Sequence, residues 1–238
     1  MRNKSNRLSC VSGLGLGVMG LLTFHSAAAD ELMLEPSAVL LDRPAMVTAE
    51  QWGSEPQPIP DERLHTPEFV TVHHAGVTWQ AGSDPAAKVL GLQKYGQNEK
   101  DWPDLPYHFL IAPDGTIFEG RPTEYEPETN TNYDVTGHVG IQLYGNFEEQ
   151  RVSPAQMESL VQLTAWLLQE FELSTDTIGG HNDRPGAETS CPGRDLARYL
   201  HDGSLVGWVE ATLAGEDVSI DLGDPLADGP TQMIPDAE

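Results

Sequence analysis

The stretch Glu68 to His74, EFVTVHH, is dominated by β-branched and aromatic residues and predicts a strand. Ser83-Asp84-Pro85 follows, with Ser83 the expected N-cap of a helix that runs to about Tyr95 and turns Val89, Leu90 and Leu92 towards a core. Tyr107 to Ala112 and Thr116 to Gly120 flank Pro113-Asp114-Gly115, which is a hairpin signature. Val139 to Phe147 reads as a further strand. Ser153-Pro154-Ala155-Gln156 is a capping box with proline at the first helical position, and Met157, Leu160, Val161, Leu167, Leu168 and Phe171 continue it at helical spacing. A short strand near Thr177-Ile178 leads into Gly179-Gly180-His181, and a helix is expected from Asp195 to about His201. Alternating strands and helices predict an α/β fold, a single domain with a central mixed β-sheet flanked by helices.

The ends of the chain lack such periodicity. Residues 1–29 contain no acid, carry Arg2, Lys4 and Arg7, run apolar and small from Leu14 to Phe24, and close on Ala27-Ala28-Ala29 before Asp30. That is the pattern of a secretory signal, with an uncleaved anchor as the alternative. Cys10 precedes the apolar run rather than following it, which argues against lipidation. Residues 30–60 read as a lead-in segment, 61–214 as the working domain, and 215–238 as an acidic, flexible tail. The expectation is export to the periplasm or the extracellular space, with no stable membrane insertion once the signal is removed.

Charge narrows the partners. The 238 residues hold 37 Asp+Glu against 13 Lys+Arg, a net charge of −24. Loss of the first 29 residues leaves 10 basic residues against 37 acids, or −27. Such a surface repels phosphate backbones, so no nucleic-acid partner is expected. The same loss leaves Cys191 as the sole cysteine, a thiol with no internal disulfide partner in an oxidising compartment.

Polar residues fit for chemistry gather at element ends: His73-His74, Tyr107-His108, His181, and Thr189-Ser190-Cys191-Pro192-Gly193. Two imidazoles and a thiolate would satisfy a catalytic zinc, which takes three protein ligands and keeps a fourth position open. The spacing of His181 and Cys191 matches no zinc-finger pattern, so a surface histidine and a buried cysteine is the competing reading. Spacing does not choose between His73 and His74 either, although adjacent strand residues face opposite sides and only one would reach a metal.

The segments VTVHHAG, LPYHFLIAPDGTIFEGRP, GHVGIQLYGNF and HNDRPGAETSCPGRDL occur in the order found in a known family. Over roughly residues 66 to 201 the chain resembles the zinc-dependent N-acetylmuramoyl-L-alanine amidases of the T7 lysozyme and peptidoglycan-recognition-protein type. The resemblance implies a Zn2+ cofactor held by His73, His181 and Cys191, with His74 a packed or hydrogen-bonded neighbour. It implies a substrate, peptidoglycan or a muropeptide, cleaved at the amide between the lactyl group of muramic acid and L-alanine. Tyr107 matches the family tyrosine that faces the nucleophilic water, and Thr189 stands where relatives carry Lys or Thr. Glu119, the carboxylate in the strand paired with that of Tyr107, is a candidate general base, and His108 is expected to be structural. Residues 121–136 do not align cleanly; Asn130, Asn132 and Tyr133 are the candidate substrate-binding residues there, and His138 takes no family role. A non-catalytic peptidoglycan-binding module on the same fold is the rival. A glycosidase is disfavoured because no pair of carboxylates falls in the matched motifs.

Overall fold

A computed structural model describes residues 39–235; the basic and apolar N-terminal segment read as a signal lies outside the described residues. Six strands form one sheet: β1 (Met46–Val47), β2 (Phe69–His74), β3 (Phe109–Ile111), β4 (Ile117–Glu119), β5 (His138–Leu143) and β6 (Ile178–Gly180). Their spatial order is β1-β4-β3-β5-β2-β6, and only the β3–β4 hairpin is antiparallel. β2 and β5 are buried along almost their whole length, as central parallel strands should be. Four helices, α1 (Pro85–Glu99), α2 (Pro154–Glu170), α3 (Arg194–His201) and α4 (Ser204–Leu213), complete the mixed α/β domain.

The helix starts follow from local chemistry. At α2, Ser153 Oγ accepts the N–H of Gln156 at 2.9 Å, while the Gln156 side chain returns to the Ser153 N–H, the reciprocal box that the sequence predicts. Gln156 also spans the sheet end, donating to the Tyr144 carbonyl at 2.8 Å. At α1 the cap is Asp84, one residue beyond the expected Ser83: its carboxylate accepts from both Ala86 and Ala87, and two charge-assisted bonds outweigh one hydroxyl.

Both flanks of the working domain differ from expectation. The lead-in is part of the fold: β1 pairs with β4, and Trp52 is buried with its indole N–H on the Glu119 carbonyl at 2.7 Å. The tail is laid down rather than free. Arg151, Arg194 and Arg198 donate to the carbonyls of Gly223, Asp228 and Asp224, and Ile234 enters the core at 4% exposure. Scarce arginines hold an acidic strap by its backbone, so its carboxylates need no partners.

Candidate metal centre

β2 and β6 are parallel neighbours in which Val72 lies opposite Gly180. The next residue on each chain is a histidine, so His73 and His181 emerge side by side, their ring centroids 4.6 Å apart. This is the carboxyl end of two adjacent parallel strands, where open α/β sheets place their ligands. Cys191 arrives from the loop before α3. Its Sγ accepts the N–H of His74 at 3.4 Å and lies 3.7 Å from Nδ1 of His73. The ligating atoms of His73, His181 and Cys191 all lie within 4.8 Å of one another, and all three residues are buried.

Electrostatics suit this set to a cation. Burial holds the His73 imidazole well below its usual range and that of His181 at about 4, so both rings are neutral, with a lone pair to offer. The same burial pushes the Cys191 thiol up to about 12, against the His74 N–H that favours the thiolate. A divalent ion would supply the missing positive charge, and two imidazoles with a thiolate are donors that zinc prefers.

Three further histidines among the described residues are occupied. His74 Nδ1 accepts the Phe147 N–H at 3.2 Å, and a Cβ on Gly193, whose φ is +86°, would stand 2.9 Å from that nitrogen. His108 accepts the Gly140 N–H on Nδ1 at 2.9 Å and therefore donates from Nε2 to the Tyr125 carbonyl at 2.9 Å. His138 bonds Thr71 and stacks on Phe69.

A cavity of about 210 Å³ opens over the cluster. Tyr107 lines it, with its ring 4.9 Å from that of His73. Gly120 makes that placement possible, and Gly140 lies in ordinary contact with the ring. A Cβ on Gly120 would stand 2.3 Å from the Tyr107 carbonyl, and at Gly140 the Tyr107 ring lies 3.4 Å from where a Cβ would be. Thr189 lines the cavity with Oγ1 accepting the Cys191 N–H at 3.1 Å, which leaves its own proton free. Asn130 is an exposed residue at the rim.

Three candidates lie elsewhere. Glu119 is absent from the cavity wall: its carboxylate binds Arg43 at 2.6 Å and the Ala49 N–H at 3.1 Å, tying down the lead-in, so the general-base expectation is withdrawn. Asn132 is exposed and does not line the cavity, while its carbonyl lies 3.1 Å from where a Cβ on Gly186 would be. Tyr133 is buried behind His181, ring centroids 5.0 Å apart, so it packs against that imidazole and is absent from the cavity wall.

Two residues of the unaligned stretch were missed by sequence reasoning. Thr131 Oγ1 lies 2.7 Å from His181 Nε2, leaving Nδ1 for the cluster. Glu128 is the carboxylate in the cavity wall, held by Arg121 at 3.2 Å and Arg63 at 3.3 Å. No periodicity or motif marks either residue.

Residues 63–194 match the family model described as N-acetylmuramoyl-L-alanine amidase. The chain belongs to this amidase family. Among its relatives, peptidoglycan-recognition protein SA of Drosophila melanogaster is 29% identical over 164 residues, covering 68% of this chain and 78% of that protein. The solved structure of Drosophila peptidoglycan recognition protein SA superposes with a TM-score of 0.54 at 28% identity, covering 65% of this chain and 87% of that one. The endolysin amidase LysCS from Clostridium intestinale gives a TM-score of 0.50 at 26% identity, with 64% and 90% covered. Proteins named for recognition and proteins named for hydrolysis thus share the fold of this amidase family.

Proposed function

We propose that this chain is an exported, zinc-dependent N-acetylmuramoyl-L-alanine amidase. The observation that carries the reading is the convergence of His73, His181 and Cys191 beneath a cavity that Tyr107 and Thr189 also line. Zinc bound by these three residues supplies Lewis acidity, which polarises a carbonyl and brings the ionisation of water from a pKa of about 15.7 towards about 7.

The chain's own groups do the rest. Tyr107, whose phenol burial keeps protonated, donates to the lactyl carbonyl oxygen as negative charge develops on it. Thr189, its oxygen already engaged by the Cys191 N–H, donates its free proton to the same oxygen. With Glu119 tied to the lead-in and Glu128 between two arginines, the departing L-alanine nitrogen takes its proton from solvent. Asn130, at the rim, contacts the substrate beyond the reacting amide. Export through the N-terminal signal would deliver the protein to its polymer.

The relationship to peptidoglycan-recognition protein SA favours one second reading, a recognition module without turnover. Digestion of purified cell wall, with labelling of new amino termini and new reducing ends, separates them. The amidase releases N-terminal alanine, creates no reducing ends, and stops when a chelator is added. Retention of the wall with neither product would establish the recognition module, and reducing ends alone would establish a glycosidase.

A further inference from the structure

The family match ends at residue 194, and the acidic strap that follows α4 lies beyond it. The strap holds two neighbours of the metal cluster at once. One is α3, the helix that begins three residues after Cys191. Arg194 Nη1 donates to the Asp228 carbonyl at 2.7 Å, and Arg198 donates to the carbonyls of Leu222 and Asp224 at 2.6 Å each. The other is the segment after β5. There the Arg151 N–H donates to the Gln232 carbonyl at 2.8 Å, and the Ile234 N–H returns to the Arg151 carbonyl at 3.0 Å. Ile234 Cδ1 lies 2.7 Å from where a Cβ on Gly145 would stand.

Both holds lead back to the ligands. The Gly145 carbonyl accepts the Gly76 N–H at 3.1 Å, two residues past His74, and the Phe147 N–H donates to His74 Nδ1. From the other side, the Asp195 N–H donates to the Phe147 carbonyl at 3.1 Å. A Cβ on Gly193 would stand 2.7 Å from that carbonyl carbon, so the turn out of Cys191 lies directly on Phe147. Glu148 fixes Arg194 through its N–H at 2.9 Å and its Nε at 2.7 Å. Asp195, fully buried, accepts the Val152 N–H at 2.9 Å between Arg151 and Arg198, the same two arginines that hold the strap. The loop that carries Cys191 is therefore clamped at its downstream end between α3 and residues 145–152, and the strap fastens the two together.

A metal ion binds more tightly when its ligands are ordered before it arrives, because binding then does not have to order them. His73 stands on β2 and His181 directly after β6, whereas Cys191 is supplied by a loop. We propose that the strap positions Cys191, so that a docked strap and a zinc ion at the cluster strengthen one another. This inference rests on the zinc reading, and it assigns a part in metal retention to a segment that touches none of the three ligands. Linkage makes the effect reciprocal: whatever factor the strap adds to zinc affinity, zinc adds to strap docking.

The test measures hydrogen exchange in the full chain with and without stoichiometric zinc. It reads the Ile234 and Arg151 amides of the strap contact against the Ala49 amide, which is bonded to Glu119 at the opposite edge of the sheet. Zinc should slow the two strap amides about tenfold or more and leave Ala49 unchanged. In chelator competition, Ile234→Ala and Arg194→Met should weaken zinc by a similar factor. Trp52→Phe, which removes the bond to the Glu119 carbonyl at that opposite edge, should not. Thermal melts establish that the variants are folded, and exchange in the parent chain decides the matter where one is not. Strap exchange indifferent to zinc overturns the coupling, as does equal slowing at Ala49, which would be global stabilisation. A parent chain that binds no zinc overturns the metal reading and the coupling together, and zinc binding without either effect overturns the coupling alone. Alanine amino termini released from cell wall are scored separately: coupling without release supports the role of the strap while overturning the hydrolase.

Discussion

The Thr131 hydroxyl oxygen lies 2.7 Å from Nε2 of His181, which leaves Nδ1 as the ring nitrogen that the cluster with His73 and Cys191 can use. Metal-ligating histidines characteristically bond through the second ring nitrogen, which fixes tautomer and orientation. Thr131→Val should therefore weaken zinc binding by about 10- to 100-fold with the fold intact. Chelator competition measures the affinity, and an unchanged value would show that the bond orients nothing.

Cys191→Ser should lose most bound zinc while retaining the helix and strand signal in circular dichroism, because the sheet does not depend on this loop. Metal content by atomic absorption decides it. Full zinc occupancy in the variant would move the metal away from the cluster.

Tyr107→Phe removes one hydroxyl and keeps the ring that packs against His73. Zinc stoichiometry should stay at the parental value while kcat falls on the order of 10- to 1,000-fold, the range for loss of one oxyanion donor. Undiminished kcat would reduce Tyr107 to a packing residue.

Stability should fall with acid well before the carboxylates titrate. Burial lowers His108 to about 3 and His138 to about 4 from an ordinary value near 6.5. Below about pH 6.5 the unfolded chain binds protons at these rings that the folded chain refuses, so stability is full above that pH and declines as pH falls towards 4. Each pKa unit of difference is worth about 1.4 kcal/mol. Urea midpoints for the zinc-free protein should drop between pH 7.5 and pH 5; equal midpoints would contradict the burial of both rings.

The acidic tail should contribute to stability through Ile234, which is 4% exposed. Ile234→Ala should cost about 2–5 kcal/mol, as other buried isoleucine truncations do. A chain ending at residue 215 should lose at least as much, and a truncated protein with an unchanged melting temperature would show the strap to be dispensable.

The parts legible in the sequence were those set by local chemistry. The β-branched run ending in His73, the Ser153 capping box and the Pro113-Asp114-Gly115 hairpin each carry their own cause within a few residues, and each appears in the fold. What was hidden depends on distant partners. Glu119 looks like a spare carboxylate until Arg43 and Ala49 reach it from 76 and 70 residues away. The tail reads as disordered by composition because what holds it is its own backbone carbonyls, which no side-chain pattern reports. Thr131 is one hydroxyl in a polar loop, and only the arrival of His181 from 50 residues later gives it a role.

The two-residue β1 and three-residue β6 that bound the sheet bear on how the protein behaves at high local concentration. A neighbouring molecule attempting to extend the sheet would find at most two or three ladder positions at either rim before the chain turns away, too few to nucleate a shared sheet. Repulsion between surfaces carrying 37 acids against 13 bases opposes the approach as well. Crowded copies should thus remain separate particles, each with its cavities open to solvent instead of to one another.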